Sequence, residues 1–94
     1  MNTDLTNKTA LVCGSTQGIG KAVAMELANL GATIVLVARN EEKLKSVAQE
    51  LPCNHHQNHR YLAVDFTDID AVKNKLSAFV DAGNKVDILV NNTG

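Results

Sequence analysis

Apolar residues fall into short unbroken runs that alternate with stretches of helical period. The first run, Thr9 to Cys13, is β-rich, and Ile19, Val23, Leu27 and Leu30 follow at steps of four, four and three, one face of a helix. Gly31 stands where a left-handed helix terminus is needed. The second run, Thr33 to Ala38, is continuous and β-branched rather than alternating, as in a strand covered on both faces. Asn40 suits an N-cap, Glu41 and Glu42 fall in a first turn, and Leu44, Val47, Ala48 and Leu51 form a stripe that Pro52 ends. A polar loop, Cys53 to His59, precedes a third strand, Tyr61 to Val64, and Thr67 with Asp70 has capping-box spacing. Ile69, Val72, Leu76, Phe79 and Val80 predict a third amphipathic helix ending near Gly83, and Val86 to Val90 a fourth strand. Met1 to Lys8 is a polar leading arm.

The order β-α-β-α-β-α-β with short links argues a parallel sheet with right-handed crossovers, a Rossmann-like α/β domain. The expected strand order is 3-2-1-4. The sheet is expected to stop before a fifth strand, so that residues 1–94 would form one partial domain with Ile88, Leu89 and Val90 at an open apolar edge.

Composition narrows the class without changing this picture. Hydrophobic content of 45% and charged content of 20% in 94 residues fit one small globular domain. A net charge of -1 and a pI near 6.2 give no electrostatic footprint for nucleic acid. No apolar run approaches the roughly 18 residues of a membrane span. Met1 to Asp4 lacks the basic and apolar regions of a signal peptide. Cys13 and Cys53 have no disulfide or metal spacing and suit a reducing compartment, so the expected location is cytoplasmic. Cys53, His55, His56 and His59 crowd one short loop instead of two separated ligand pairs, which reads as a solvated loop rather than a zinc site.

Candidate chemistry concentrates between the first strand and first helix, in Cys13-Gly14-Ser15-Thr16-Gln17-Gly18-Ile19-Gly20. Glycines at such a turn let the backbone lie close to a bound group, and the amides of the following helix face it with the positive dipole end behind them. That is an anion site, and in an α/β chain the usual anion is a nucleotide phosphate. A Walker A loop needs four residues between its glycines and Gly-Lys-Ser/Thr after them. Three residues separate Gly14 from Gly18, and Ala22 follows Lys21, so that pattern fails. G-x-G-x-x-G would start at Gly18 and Gly20 but meets Val23 at its last position. The spacing that fits is G-x-x-x-G-x-G: Gly14, Gly18 and Gly20. Purely structural glycines remain the bland alternative.

With this turn at one end and Asn91-Asn92-Thr93-Gly94 closing the fourth strand at the other, the chain resembles the short-chain dehydrogenase/reductases from about Thr9 onward. Within that family it looks like the group containing 3-oxoacyl-acyl-carrier-protein reductases. The glycine turn is similar to the family's cofactor motif, the final four residues to its Asn-Asn-Ala-Gly motif, and Asp65 to its adenine-contacting aspartate. Two departures stand out: Cys13 replaces a threonine that commonly supports the loop, and Thr93 replaces alanine. The resemblance implies a cofactor site built from Gly14, Ser15, Gln17, Gly18, Ile19, Gly20, Arg39, Asp65, Phe66, Asn91, Asn92 and Gly94. Asp65 alone could simply cap the Thr67 region, and Asn91 and Asn92 could be turn formers.

An acidic residue at the end of the second strand would bind the ribose hydroxyls of NAD and repel a 2′-phosphate. Ala38 occupies that position and Arg39 follows, whose guanidinium can hold a phosphate through paired charge-assisted hydrogen bonds. NADP(H) is therefore favoured over NAD(H). The implied reaction is hydride transfer between NADP(H) and a carbonyl or secondary alcohol, in a homo-oligomer when full length, with no nucleic-acid or membrane partner. The family's Ser, Tyr and Lys do not occur in their pattern here: Tyr61 lacks Tyr-x-x-x-Lys spacing, having Asp65 four residues on. No catalytic residue is assigned, and residues 1–94 alone are expected to be inactive. The alternatives are a non-catalytic dinucleotide-binding module and an inactive fragment.

Overall fold

The computed structural model describes residues 4–14, 18–53, 56–65, 67–83 and 85–91. The elements alternate: β1 (Thr9–Cys13), α1 (Gly18–Asn29), β2 (Thr33–Ala38), α2 (Glu41–Glu50), β3 (Arg60–Ala63), α3 (Ile69–Asp81) and β4 (Ile88–Asn91). The strands pair in parallel in the order β3-β2-β1-β4, the Rossmann-like arrangement expected.

Alternation along β1 and β2 sorts their side chains onto two faces. Ala10, Val12, Ile34 and Leu36 join Ala24 and Ala28 of α1 and Leu44 and Val47 of α2. On the other face, Leu11, Cys13, Val35 and Val37 join Val64 and Phe79 of α3. A sheet covered on both sides needs apolar residues at consecutive positions, and Ala10 to Cys13 and Ile34 to Ala38 are buried throughout. Leu36 is fully buried, and truncating such a side chain to alanine costs about 2–5 kcal/mol.

The helices use narrower faces than the sequence pattern predicts. Inward-facing residues of α1 are Gly20, Ala24 and Ala28, whereas Ile19 is 73% exposed and Val23 and Leu27 are half-buried. Small residues at steps of four let this helix lie close to the sheet, which moves the larger side chains to its flanks. On α3, Phe79 is buried and Val72 and Leu76 pack against the same cluster, but Ile69 and Val80 point outward. The capping box is also displaced: Asp68, not Thr67, caps α3 by accepting from the Ala71 amide at 3.1 Å. Asn40 caps α2 as expected, accepting from the Lys43 amide at 3.1 Å.

Strand ends shift for identifiable reasons. β3 starts at Arg60, one residue early, and the Val64 amide still donates to the Ala38 carbonyl at 2.8 Å. β4 starts at Ile88 because Asp87 makes a side-chain-assisted junction. Its amide donates to the Thr9 carbonyl and its carboxylate accepts from the Thr9 amide, each at 2.9 Å.

At the amino-terminal end of the sheet, polar side chains fasten the elements together. Gln57 Nε2 donates to the carbonyls of Ala28 and Ala32 at 2.7 and 2.9 Å. His59 Nδ1 accepts from the Ile34 amide at 2.9 Å, which places the ring proton on Nε2, 2.7 Å from the Pro52 carbonyl oxygen. The leading arm is docked as well, with the Leu5 amide donating to Leu30 and the Thr33 amide to Lys8.

Candidate functional site

In-register pairing brings the sequence motifs to one edge. Cys13 at the end of β1 stands opposite Val37 of β2 and Asn91 of β4, while Ala38 stands opposite Ala63 of β3. Gly14, Arg39, Asp65 and Asn91 therefore emerge along the carboxyl edge of the sheet, and α1 begins in front of its middle. The chain leaves β1 through α1 to one side, and β4 lies on the other side of β1 with α3 on the opposite face. Such a reversal opens a crevice at the carboxyl ends of the two central strands.

Both ends of the turn have left-handed backbone. Gly14 and Gly18 have φ of 70° and 63°, a region that L side chains with a Cβ rarely adopt. Gly14 is pinned by its amide, which donates to the Val37 carbonyl at 2.8 Å. A Cβ built on Gly18 would meet nothing within 4 Å among the described residues, so the Cβ side of Gly18 is open.

The three helix starts at this edge differ in charge. Glu41 and Glu42 occupy the first turn of α2, and Asp68 and Asp70 cap and begin α3. The first turn of α1 holds no acidic residue. Its leading amides lack a carbonyl one turn earlier and carry the positive end of the dipole, so this start favours an anion more than the other two do. The described residues thus fit a nucleotide phosphate: glycine backbone, room at Gly18 and a helix terminus with no acid in its first turn.

Arg39 is exposed at the end of β2. Asp65, two residues beyond β3, accepts from the Thr67 hydroxyl at 2.7 Å and the Thr67 amide at 2.9 Å through one oxygen. These hydrogen bonds, hydroxyl first, hold its carboxyl below the usual carboxylate range, and the Arg39 guanidinium adds to the effect. Asp65 thus bonds locally to Thr67 through an Asp-x-Thr spacing, while the helix cap weighed for it from sequence falls to Asp68. Cys13 packs on the α3 face as a small apolar residue, and burial pushes its thiol pKa up.

Among the expected site residues, Gly14, Gly18, Ile19, Gly20, Arg39, Asp65 and Asn91 are brought to this one edge. Ile19 places an exposed apolar side chain on the first turn of α1. Ser15, Gln17, Phe66, Asn92 and Gly94 lie outside the described residues, as does Thr93. In the polar loop, His59 commits both ring nitrogens to backbone groups, which leaves neither for a metal. No group of three metal-ligating side chains gathers among the described residues. Nor, among them, is any helix long and apolar enough to cross a membrane.

Glycine turn, strand order and switch point together define a dinucleotide-binding α/β sheet. The family model described as short chain dehydrogenase matches residues 8–94, and the chain belongs to that family. It is 44% identical over 87 residues to a very-long-chain 3-oxoacyl-CoA reductase of Danio rerio, covering 93% of this chain and 27% of that protein. A 3-oxoacyl reductase is thus among its relatives. The crystal structure of L-sorbose reductase from Gluconobacter frateurii, complexed with NADPH and L-sorbose, superposes with a TM-score of 0.87 at 35% identity, covering 100% of this chain and 36% of that one. A metagenomic short-chain oxidoreductase in complex with NADP gives a TM-score of 0.85 at 37% identity, covering 96% of this chain and 40% of that one. The chain spans 27% to 36% of the length of the curated relatives it matches.

Proposed function

We propose that the chain is the NADP(H)-binding part of an oxidoreductase that transfers hydride between NADP(H) and a carbonyl or secondary alcohol. The observation that carries this reading is the start of α1, flanked by left-handed glycines and without a first-turn carboxylate, set at the sheet's switch point. Gly14, Ser15, Gln17, Gly18, Ile19 and Gly20 would cradle the pyrophosphate. Arg39 would hold the 2′-phosphate that an acid at Ala38 would repel. Asp65 and Phe66 would border the adenine, and Asn91, Asn92 and Gly94 the far ribose. Bound NADP(H) supplies the hydride; these residues orient it. NADPH and NADP in the two solved relatives support the phosphorylated cofactor.

Proton transfer at the substrate needs a further set of residues. Residues 1–94 contain no Tyr-x-x-x-Lys, so turnover requires a Ser and a Tyr-x-x-x-Lys elsewhere in the protein, which we expect to be a homo-oligomer. The same observation favours, as a second reading, a module that binds the dinucleotide without chemistry. NADPH titration of residues 1–94 and of the full protein separates them: turnover by the full protein supports the first, and tight binding without turnover the second.

Cofactor choice is tested by Ala38→Asp and Arg39→Ala in the full protein, read by fluorescence titration of NADPH and NADH. Arg39→Ala should weaken NADPH binding about tenfold and leave NADH nearly unchanged. Ala38→Asp should move preference towards NADH. An unchanged preference in both variants would overturn the assignment to Arg39.

A further inference from the structure

The sheet carries a second polar concavity at its opposite end, beneath α3. The α3 face covers β1 and β2 with Val35, Val37 and Phe79, but the strand starts lie beyond it. Thr9 and Thr33 stand opposite each other there, with Arg60 opposite Val35 one step further on the same face. Together with Asn58, Phe79 and Lys85 they line an open concavity of about 210 Å³. Val35 and Phe79 are buried and form an apolar floor, while Asn58, Arg60 and Lys85 are exposed at the rim.

We propose that this cavity binds a small oxyanion, a carboxylate or a phosphate. Arg60, Lys85, Asn58 and two threonines line it, side chains of the donor types that such a group takes. The apolar floor keeps water from competing on one side. Its volume suits an anion of a few heavy atoms, far short of a dinucleotide. Lys85 Nζ lies 3.3 Å from Asp87 Oδ1 with its side chain 81% exposed, so it can turn from that carboxylate to a ligand. Asp87 stays in place because its other oxygen accepts from the Thr9 amide. This site is separate from the glycine turn and does not depend on the NADP(H) reading.

The test is titration of inorganic phosphate, and separately of malonate, into the ¹⁵N-labelled full protein, with sodium chloride at matched ionic strength as control. Measurements are made with and without NADPH, so that phosphate at the glycine turn is recognised by its loss when NADPH is present. Saturable shifts of the Thr9, Thr33 and Asn58 amides, unchanged by NADPH, are expected, and the tighter of the two probes identifies the oxyanion class. Arg60→Gln and Lys85→Gln should each weaken binding about tenfold. Both side chains are exposed, and Lys85→Gln on its own preserves the test if Arg60→Gln disturbs β3. Absence of saturation, equal shifts with chloride, or affinity unchanged in Lys85→Gln would overturn the proposal.

Discussion

A β-carbon at Gly31 would lie 2.8 Å from Thr6 Oγ1 and 3.0 Å from the Thr6 amide nitrogen, whereas one at Gly18 would meet nothing within 4 Å. Both glycines have positive φ, 104° and 63°, so both substitutions to alanine bear the cost of a left-handed backbone. Only Gly31→Ala also drives a side chain into the backbone of the leading arm. Gly18→Ala should cost about 1 kcal/mol and Gly31→Ala about 2–4 kcal/mol. Urea midpoints of the two variants in the full protein check this, and equal costs would mean that the arm yields freely. The left-handed terminus was legible in sequence from the position of Gly31 after the helical pattern. Its contact with Thr6 was not, because no local pattern says where an arm outside the first strand will lie.

At the level of elements, the loop once weighed as a metal site proves to be a fastener. Gln57 ties the end of α1 to the start of β2, and His59 ties β2 to the end of α2. Gln57→Leu strips two carbonyls of a donor and should cost about 1–3 kcal/mol, seen as a lower urea midpoint; a neutral result would mean that water replaces the amide without loss. Asp87 fastens the β1–β4 junction in a pH-dependent way. Hydrogen bonding from the Thr9 amide, then the nearby Lys85 and Lys8, holds its carboxyl below the usual carboxylate range. Because the folded value is depressed, its stabilisation is present above the unfolded carboxylate range and lost as pH falls through the folded value. Asp65 acts in the same sense. Asp87→Asn keeps an acceptor for the Thr9 amide but removes the charge, so stability from neutral to acid pH should fall less steeply than in the wild type. An unchanged acid slope would remove Asp87 from the account. Strand order and the place of the glycines Gly14 and Gly18 at the junction of β1 and α1 were legible because continuous apolar runs and glycine spacing are local signals. The inward face of α1 was misread because burial there follows close approach through Gly20, Ala24 and Ala28 rather than side-chain size. Fasteners such as Gln57 bond across 25 or 29 residues of sequence, a separation that periodicity does not report.

Across the whole molecule, the two outer edges of the sheet differ in how they meet solvent. β3 presents Arg60 first and then half-buried residues, and a charged residue on an edge discourages pairing with another strand. β4 pairs with β1 on one side only among the described residues, and its Leu89 is 65% exposed. Ile88 and Val90 are half-buried against the opposite face, so neither face of β4 carries a charge that would deter a second chain. A short apolar strand with open backbone donors and acceptors is a template for association. Residues 1–94 in isolation should therefore self-associate through β4, with weight-average mass rising with concentration in sedimentation equilibrium. Leu89→Lys places a charge where the side chain already faces solvent, so it should suppress association while leaving the cores on both faces of the sheet intact. Association undiminished in Leu89→Lys would move the contact elsewhere, with the exposed Ile69 and Val80 of α3 the next surface to substitute.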